Sequence, residues 1–276
     1  MRAWRGKALK GLAYVGMTLL ACTMVLPFLW MLASSFKPQS EIFAYPPSLV
    51  PRTPSLANYR GLFEQMPFAV NLFNTAYIAT LFTTLAIFFC TLGGFGFAKY
   101  RFRGREPLFL VLLASMVIPF EVTMVPLYVV YQRIGWVDTH WPLIIPGTAN
   151  AFGIFFMRQI IRGVPDELLD AARIDGAGEF GIFTRVVVPT VMPAIASLGI
   201  IFFMGSWNNF LWPLVLLRSE RKLTAAVAIA RLQGSIYTPY DLVMAGSVVL
   251  TLPLLLVFVL MQRQFIEGIM SGAVKS

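Results

Sequence analysis

A chain of 276 residues with 58% hydrophobic and 13% charged side chains cannot cover a water-facing globule, which needs roughly 25% charge. Much of its surface must face lipid, so its length reads as a count of membrane crossings rather than of soluble domains. The net charge of +9 does not indicate nucleic acid, because the basic residues flank apolar runs instead of sharing one face.

A helix crosses a bilayer core with roughly 20 apolar residues. Runs of that kind fall near 11–34, 72–98, 107–131, 142–162, 193–217 and 242–262, which predicts an all-α polytopic membrane protein with about six transmembrane helices. The first run is too long for a signal-peptide core and lacks a clean small-residue cleavage site, so it is expected to be retained. Cys22 and Cys90 lie inside such runs, as buried apolar side chains rather than a disulfide or metal framework. Between the first two runs, residues 37–67 hold six prolines and predict a loop with short turns. The basic cluster from Lys99 to Arg105 is expected to anchor topology, and His140 to be solvated in an outside loop. With six spans, 14 of the 22 basic residues fall on the side holding both ends, among them Arg2, Arg5, Lys7, Arg263 and Lys275. That bias places both termini in the cytoplasm. No internal repeat marks a transporter built from inverted halves.

Polar residues inside the runs are candidates for a pathway, because a lipid-facing carboxylate or amide costs several kcal/mol. At about 1.5 Å of rise per residue, Glu121 lies about 21 Å beyond Pro107, and Asn208 and Asn209 about 22–24 Å beyond Pro193. Asn150 falls in the same outer half. Amides and a carboxylate suit the hydroxyls of a polar solute, and Trp207 and Trp212 suit its flatter faces. Interhelical hydrogen bonding, within the chain or to another subunit, is the alternative use of the same groups. Pro119 and Pro126 around Glu121 predict a broken helix.

The segment from Val164 to Pro193 predicts a helix–turn–helix outside the membrane. Pro165 suits a first helical position, and Asp166 and Glu167 suit the positive end of the helix dipole. Leu168, Leu169, Ala171 and Ala172 continue the helix, and Gly176 ends it. A second short helix carries Phe180, Ile182, Phe183, Val186 and Val187, and Pro189 and Pro193 turn the chain back. Apolar surface on the water side must be buried, either on the chain's own helix ends or on a partner.

Asp170-Ala171-Ala172-Arg173-Ile174-Asp175-Gly176-Ala177, followed by Phe183, Pro189 and Pro193, resembles the EAA loop of bacterial ABC importer permeases, with Asp170 in place of the leading Glu. Phe97 to Arg105, Ile118 to Val122 with Pro126-Leu127-Tyr128, and Trp207 to Leu214 resemble the carbohydrate subset, on the MalG-like side of the permease pair. The resemblance covers nearly the whole chain and implies one permease domain over 1–276 with the type I importer fold, containing a coupling loop at 163–193. It implies that Ala171, Ala172 and Ala177 give close contact with an ATPase, that Gly176 makes the turn, and that Asp170 and Asp175 anchor or cap the loop. The implied partners are a MalF-like sister permease, a dimeric ATP-binding-cassette ATPase that holds the ATP and Mg, an extracytoplasmic solute-binding protein and a sugar, in the bacterial inner membrane. No cofactor is expected in this chain.

No G-x-x-x-x-G-K-[ST] occurs, so the chain is not expected to be the ATPase itself, nor an enzyme. Neither H-E-x-x-H nor a pair of intramembrane aspartates supports a protease. An ion-coupled secondary transporter could use Glu121 as a proton relay but has no use for the loop's spacing. A glycerol-phosphate solute, the alternative cargo, would call for Arg or Lys at the depth of Glu121, where this chain has none, unless the sister subunit or the binding protein supplies the charge.

Overall fold

The computed structural model describes the backbone of residues 2–233 and 237–273; side chains at 1–9, 12, 234–236, 261 and 263–276 are outside it. The side chains of Arg2, Arg5, Lys7 and Arg263, all of Lys275, and the end of the tail Ser271–Ser276 therefore lie outside the described residues. Those residues are helical with no strand, and they divide into two compact units.

One unit joins the chain up to Phe68 with Ala228–Leu252. It holds α1 (Arg2–Ser34), α2 (Gln39–Ile42), α3 (Ala57–Gln65) and the start of α15 (Tyr240–Ala273). The proline-rich stretch is thus more ordered than short turns: α3 is a nine-residue helix whose Leu62 is fully buried. Its order comes from buried polar groups. Asn58 donates to the carbonyls of Ser35 and Lys37 at 2.9 and 2.8 Å, Tyr59 shares a 2.7 Å hydrogen bond with Ser35, and the buried Lys37 ammonium donates to the Ser48 carbonyl over the Trp30 ring.

The other unit runs from Ala69 to Val227 and resumes at Pro253. Its main element is α4 (Phe68–Lys99), about 48 Å long at 1.5 Å per residue. Small residues let neighbours approach it. A Cβ on Gly94 would stand 2.6 Å from Met157 Cβ and 2.9 Å from the Arg158 amide, so α8 (Ala151–Ile161) lies almost backbone to backbone on α4. Gly153 of α8 similarly admits the Cys90 thiol and Phe202 of α12 (Met192–Trp207). Cys90 is buried as expected, whereas Cys22 is exposed on α1 among the described residues.

Among the described residues, three helices are continuous, long and apolar enough to span: Ala13–Ser34, Phe68–Lys99 and Tyr240–Leu260. The run at 107–131 is divided into α5 (Arg105–Ser115) and α6 (Phe120–Arg133), which meet at 97°. The amides of Met116, Val117 and Ile118 fall back on carbonyls three residues earlier, and Pro119 has no amide to continue the ladder. The distance of Glu121 reckoned along a straight helix from Pro107 therefore does not hold. The run at 142–162 is α7 (Trp141–Ile144), a break at 145–150, and α8, which at about 16 Å is short of a roughly 30 Å core. The run at 193–217 breaks at Asn208–Phe210, between α12 and α13 (Leu211–Leu216).

At the far end of α4 from Lys99, side chains hold the turn at 220–223 by its carbonyls. Asn71 donates to Glu220 and Leu223, Asn74 to Arg221 and Leu223, and Thr75 accepts the Ala225 amide. His140 is a bonded joint rather than a solvated ring: Nε2 lies 2.7 Å from the Lys222 carbonyl and Nδ1 2.7 Å from the Tyr77 hydroxyl. Asp138, at φ +60°, accepts the amides of Arg218 and Ser219, the Ser219 hydroxyl and the Lys222 ammonium. Burial pushes the Asp138 carboxyl up, but these donors outweigh it and hold it well below the usual carboxylate range.

Candidate functional site: the helical hairpin at 163–193

Pro165, with φ −60° and ψ 136°, caps α9 (Asp166–Ile174) rather than opening it, one residue from the position expected. Asp166 and Glu167 occupy its first turn and Arg173 its last, the signs its dipole favours. The helix ends in a Schellman motif. Gly176 sits at φ +82°, its amide donates to the Arg173 carbonyl at 3.0 Å, and the Ala177 amide reaches back to Ala172 at 2.9 Å. The sequence Asp175-Gly176-Ala177 thus supplies the cap, the left-handed residue and the returning amide. Gly178 then starts α10 (Glu179–Ile182), which passes through a π-helical turn at Phe183–Val187 into α11 (Val188–Thr190). The chain bends by 83° into α12.

The hairpin has two faces. Leu169, Ile182, Phe183 and Val187 are buried in a core with Phe95, Ile161 and Val164, and Ala172 and Ala177 pack against it. The opposite face shows Leu168 at 47%, Phe180 at 62% and Ile174 at 86% exposure, with Ala171 also exposed. The inner face is thus buried on the chain's own helix ends, one of the two uses foreseen for the apolar residues, and the outer face is left exposed. Of the three alanines, Ala171 looks outward, while Ala172 and Ala177 lie toward the chain's own core.

The charges are paired in a way the sequence did not suggest. Asp170 bonds Arg173 at 2.8 Å, and Arg173 grips Glu179 through Nε at 2.9 Å and Nη2 at 3.3 Å. The Arg173 guanidinium, then the Tyr100 hydroxyl, hold the Glu179 carboxyl below its usual range. Burial, then this same carboxylate, pushes the Tyr100 phenol up to about 12, so it stays a donor. Lys99 reaches Asp166 at 2.6 Å and the Val164 carbonyl, and holds the Asp166 carboxyl low. Asp175, the C-cap of α9, is exposed.

The intramembrane candidates are only partly brought together. Glu121 is exposed in the first turn of α6, and its neighbour Phe120 meets Trp212 edge-on at 5.3 Å. Trp212 is buried between Phe120 and Tyr131, and Trp207 is buried beside Phe203, so both indoles expected to stack on sugar are packed against rings of the chain itself. Asn150 caps α8, its side chain accepting the Gly153 amide at 3.1 Å. Asn208 ends α12 by donating to the Met204 carbonyl at 3.0 Å and remains exposed, and Asn209 beside it is half-buried.

Residues 90–270 match the family described as the binding-protein-dependent transport system inner membrane component. The chain is 36% identical to the arabinooligosaccharides transport system permease protein AraQ of Halalkalibacterium halodurans, over 97% of each chain. It is 35% identical to the lactose transport system permease protein LacG of Rhizobium radiobacter, over 95% of each. Its fold is similar to a chain of a crystallised bacterial ABC transporter that imports the acidic polysaccharide alginate, with a TM-score of 0.84 over 94% of this chain and 97% of that one, at 22% identity. With its helical, multiply spanning architecture and its hairpin at 163–193, the chain belongs to the family of binding-protein-dependent transport system inner membrane components.

Proposed function

We propose that this chain is one permease subunit of an ATP-driven importer for a neutral sugar, of oligosaccharide class, and that the hairpin at 163–193 docks into a separate ATPase. It forms a single permease domain that works beside a MalF-like sister permease, receives its cargo from an extracytoplasmic binding protein, and carries no cofactor of its own. The observation that carries the reading is the outward face of Leu168, Ala171, Ile174 and Phe180, on a hairpin whose inner face is fastened to the chain's own core. Apolar side chains exposed on a rigid, capped element outside the bilayer fit a protein partner. Six crossings with both ends cytoplasmic follow if the α5–α6 pair, α7 with α8, and α12 with α13 each count as one. The charge bias supports that orientation.

A neutral cargo is supported by the side chains available, Glu121, Asn208 and Asn209, and by what the names of AraQ and LacG say those relatives carry. Among the described residues of the unit, the buried guanidinium of Arg158 is taken up by Glu106, so it is not offered to a phosphate. Neither a glycerol-phosphate solute nor ion-coupled transport gains support from these features.

The test is reconstitution of the whole complex in proteoliposomes, with a crosslink from Ala171→Cys to the ATPase. Neutral oligosaccharides delivered by the binding protein should stimulate hydrolysis and accumulate inside, and position 171 should crosslink. Accumulation of glycerol phosphates alone would overturn the substrate class, and absence of the crosslink in every nucleotide state would overturn the dock.

A further inference from the structure

Lys99 and Tyr100 are adjacent residues at the cytoplasmic end of α4, and they grip the hairpin at two places far apart along it. Lys99 holds its beginning, through Asp166 Oδ1 at 2.6 Å and the Val164 carbonyl. Tyr100 holds its far limb, by donating to Glu179, which Arg173 ties back to the end of α9. The Lys99 side chain is only 7% exposed although Asp166 is open to water, so separating them would strand a nearly buried ammonium. The other exit is built differently: the chain leaves through the π-helical turn at Phe183–Val187 and the 83° bend at Val191. Such turns interrupt the regular ladder and suit a hinge.

We infer that Lys99 and Tyr100 are positioning residues that make α4 and the α9–α10 hairpin one mechanical body, so that a displacement of the hairpin by the ATPase is delivered to α4, while the Phe183–Val191 exit absorbs the change in angle. The inference rests on the reading of the hairpin as the ATPase dock.

The experiment uses the full transporter, with Cys22 and Cys90 replaced, and the pair Lys99→Cys and Asp166→Cys. Without a crosslinker the ATPase should still co-purify and hydrolyse ATP, but uptake should fall roughly ten- to a hundredfold, the scale of a lost charged hydrogen bond. Bridging the two cysteines with a bis-methanethiosulfonate reagent should restore uptake, and dithiothreitol should abolish it again. Tyr100→Phe, which removes one hydroxyl and no volume, should lower uptake per ATP hydrolysed in the same direction. Uptake that is unaffected before bridging, that stays low after it, or that is stopped by it would overturn the inference, because the joint would be unnecessary, merely structural, or required to open. Failure of the unmodified chain to bring down the ATPase would instead sink the docking reading, and the inference with it.

Discussion

Gly176 isolates one cause. An added Cβ there would meet no atom within 4 Å, so volume cannot explain any effect of substitution. What remains is the backbone, held at φ +82°, where an L-residue other than Asn or Asp is disfavoured by about 1–2 kcal/mol. At 1.4 kcal/mol per factor of ten, that shifts the closed turn toward open by roughly 5- to 30-fold. Gly176→Ala should therefore speed exchange of the amide hydrogens at positions 176 and 177 by that factor, since these are the two donors of the Schellman cap. Gly176→Asn should lie close to the parent, because Asn tolerates the left-handed region, and Gly176→Val should be worst. Uptake in proteoliposomes should follow the same order with the subunit's abundance unchanged. If Val exchanges and transports like Gly, or Asn falls as far as Val, backbone strain is not what this glycine relieves.

Gly94→Ala would place a methyl 2.6 Å from Met157 Cβ and force α4 and α8 apart, at about 1–3 kcal/mol, whereas Gly96→Ala meets nothing within 4 Å. Melting of the detergent-purified complex should fall by several degrees for the first and stay within error for the second; equal melting would refute the close approach. Ala171→Asp should block ATPase capture with normal melting, while Ala172→Asp, set against the core, should lower both; a normal pull-down with Ala171→Asp would exclude that face as the dock. Asp138 has a folded pKa below its unfolded value of about 3.9, so its contribution is complete above that pH and lost only as pH falls through the folded value. Amide exchange at Arg218 and Ser219, corrected for its intrinsic pH dependence, should thus show constant protection from pH 5 to 8, and Asp138→Asn, which keeps a residue tolerant of positive φ, should loosen it throughout; protection that falls between pH 8 and 5 would refute the linkage.

What was legible in the sequence was whatever acts on its own stretch of backbone. Gly176 and Pro165 mark the limits of α9, and Pro119 marks a break, because a glycine or proline changes the angles available at its own position whatever surrounds it. The size of that break was not legible, since the 97° angle depends on where α6 finds its packing partners. Lys99 looked like an anchor beside a run of arginines; its partner Asp166 is 67 residues away, and Tyr100 and Glu179 are 79 apart. His140, Asn71 and Asn74 give no local sign of binding the turn at 220–223. Trp207 and Trp212 suit sugar faces or interhelical packing by residue type alike, and their neighbours Phe203, Phe120 and Tyr131 have no local sign in the sequence.

The carbonyls of Glu220, Arg221, Lys222 and Leu223 all accept from side chains of α4 or from His140. A turn whose acceptors face the helix behind it has little slack of its own and travels with the end of α4 near Asn71. Arg221 stands on that turn with its side chain exposed. A spin label or fluorophore there becomes a pointer fixed to the tip farthest from Lys99 of a rod about 48 Å long, and reads the motion of α4 without altering a residue of the helix itself.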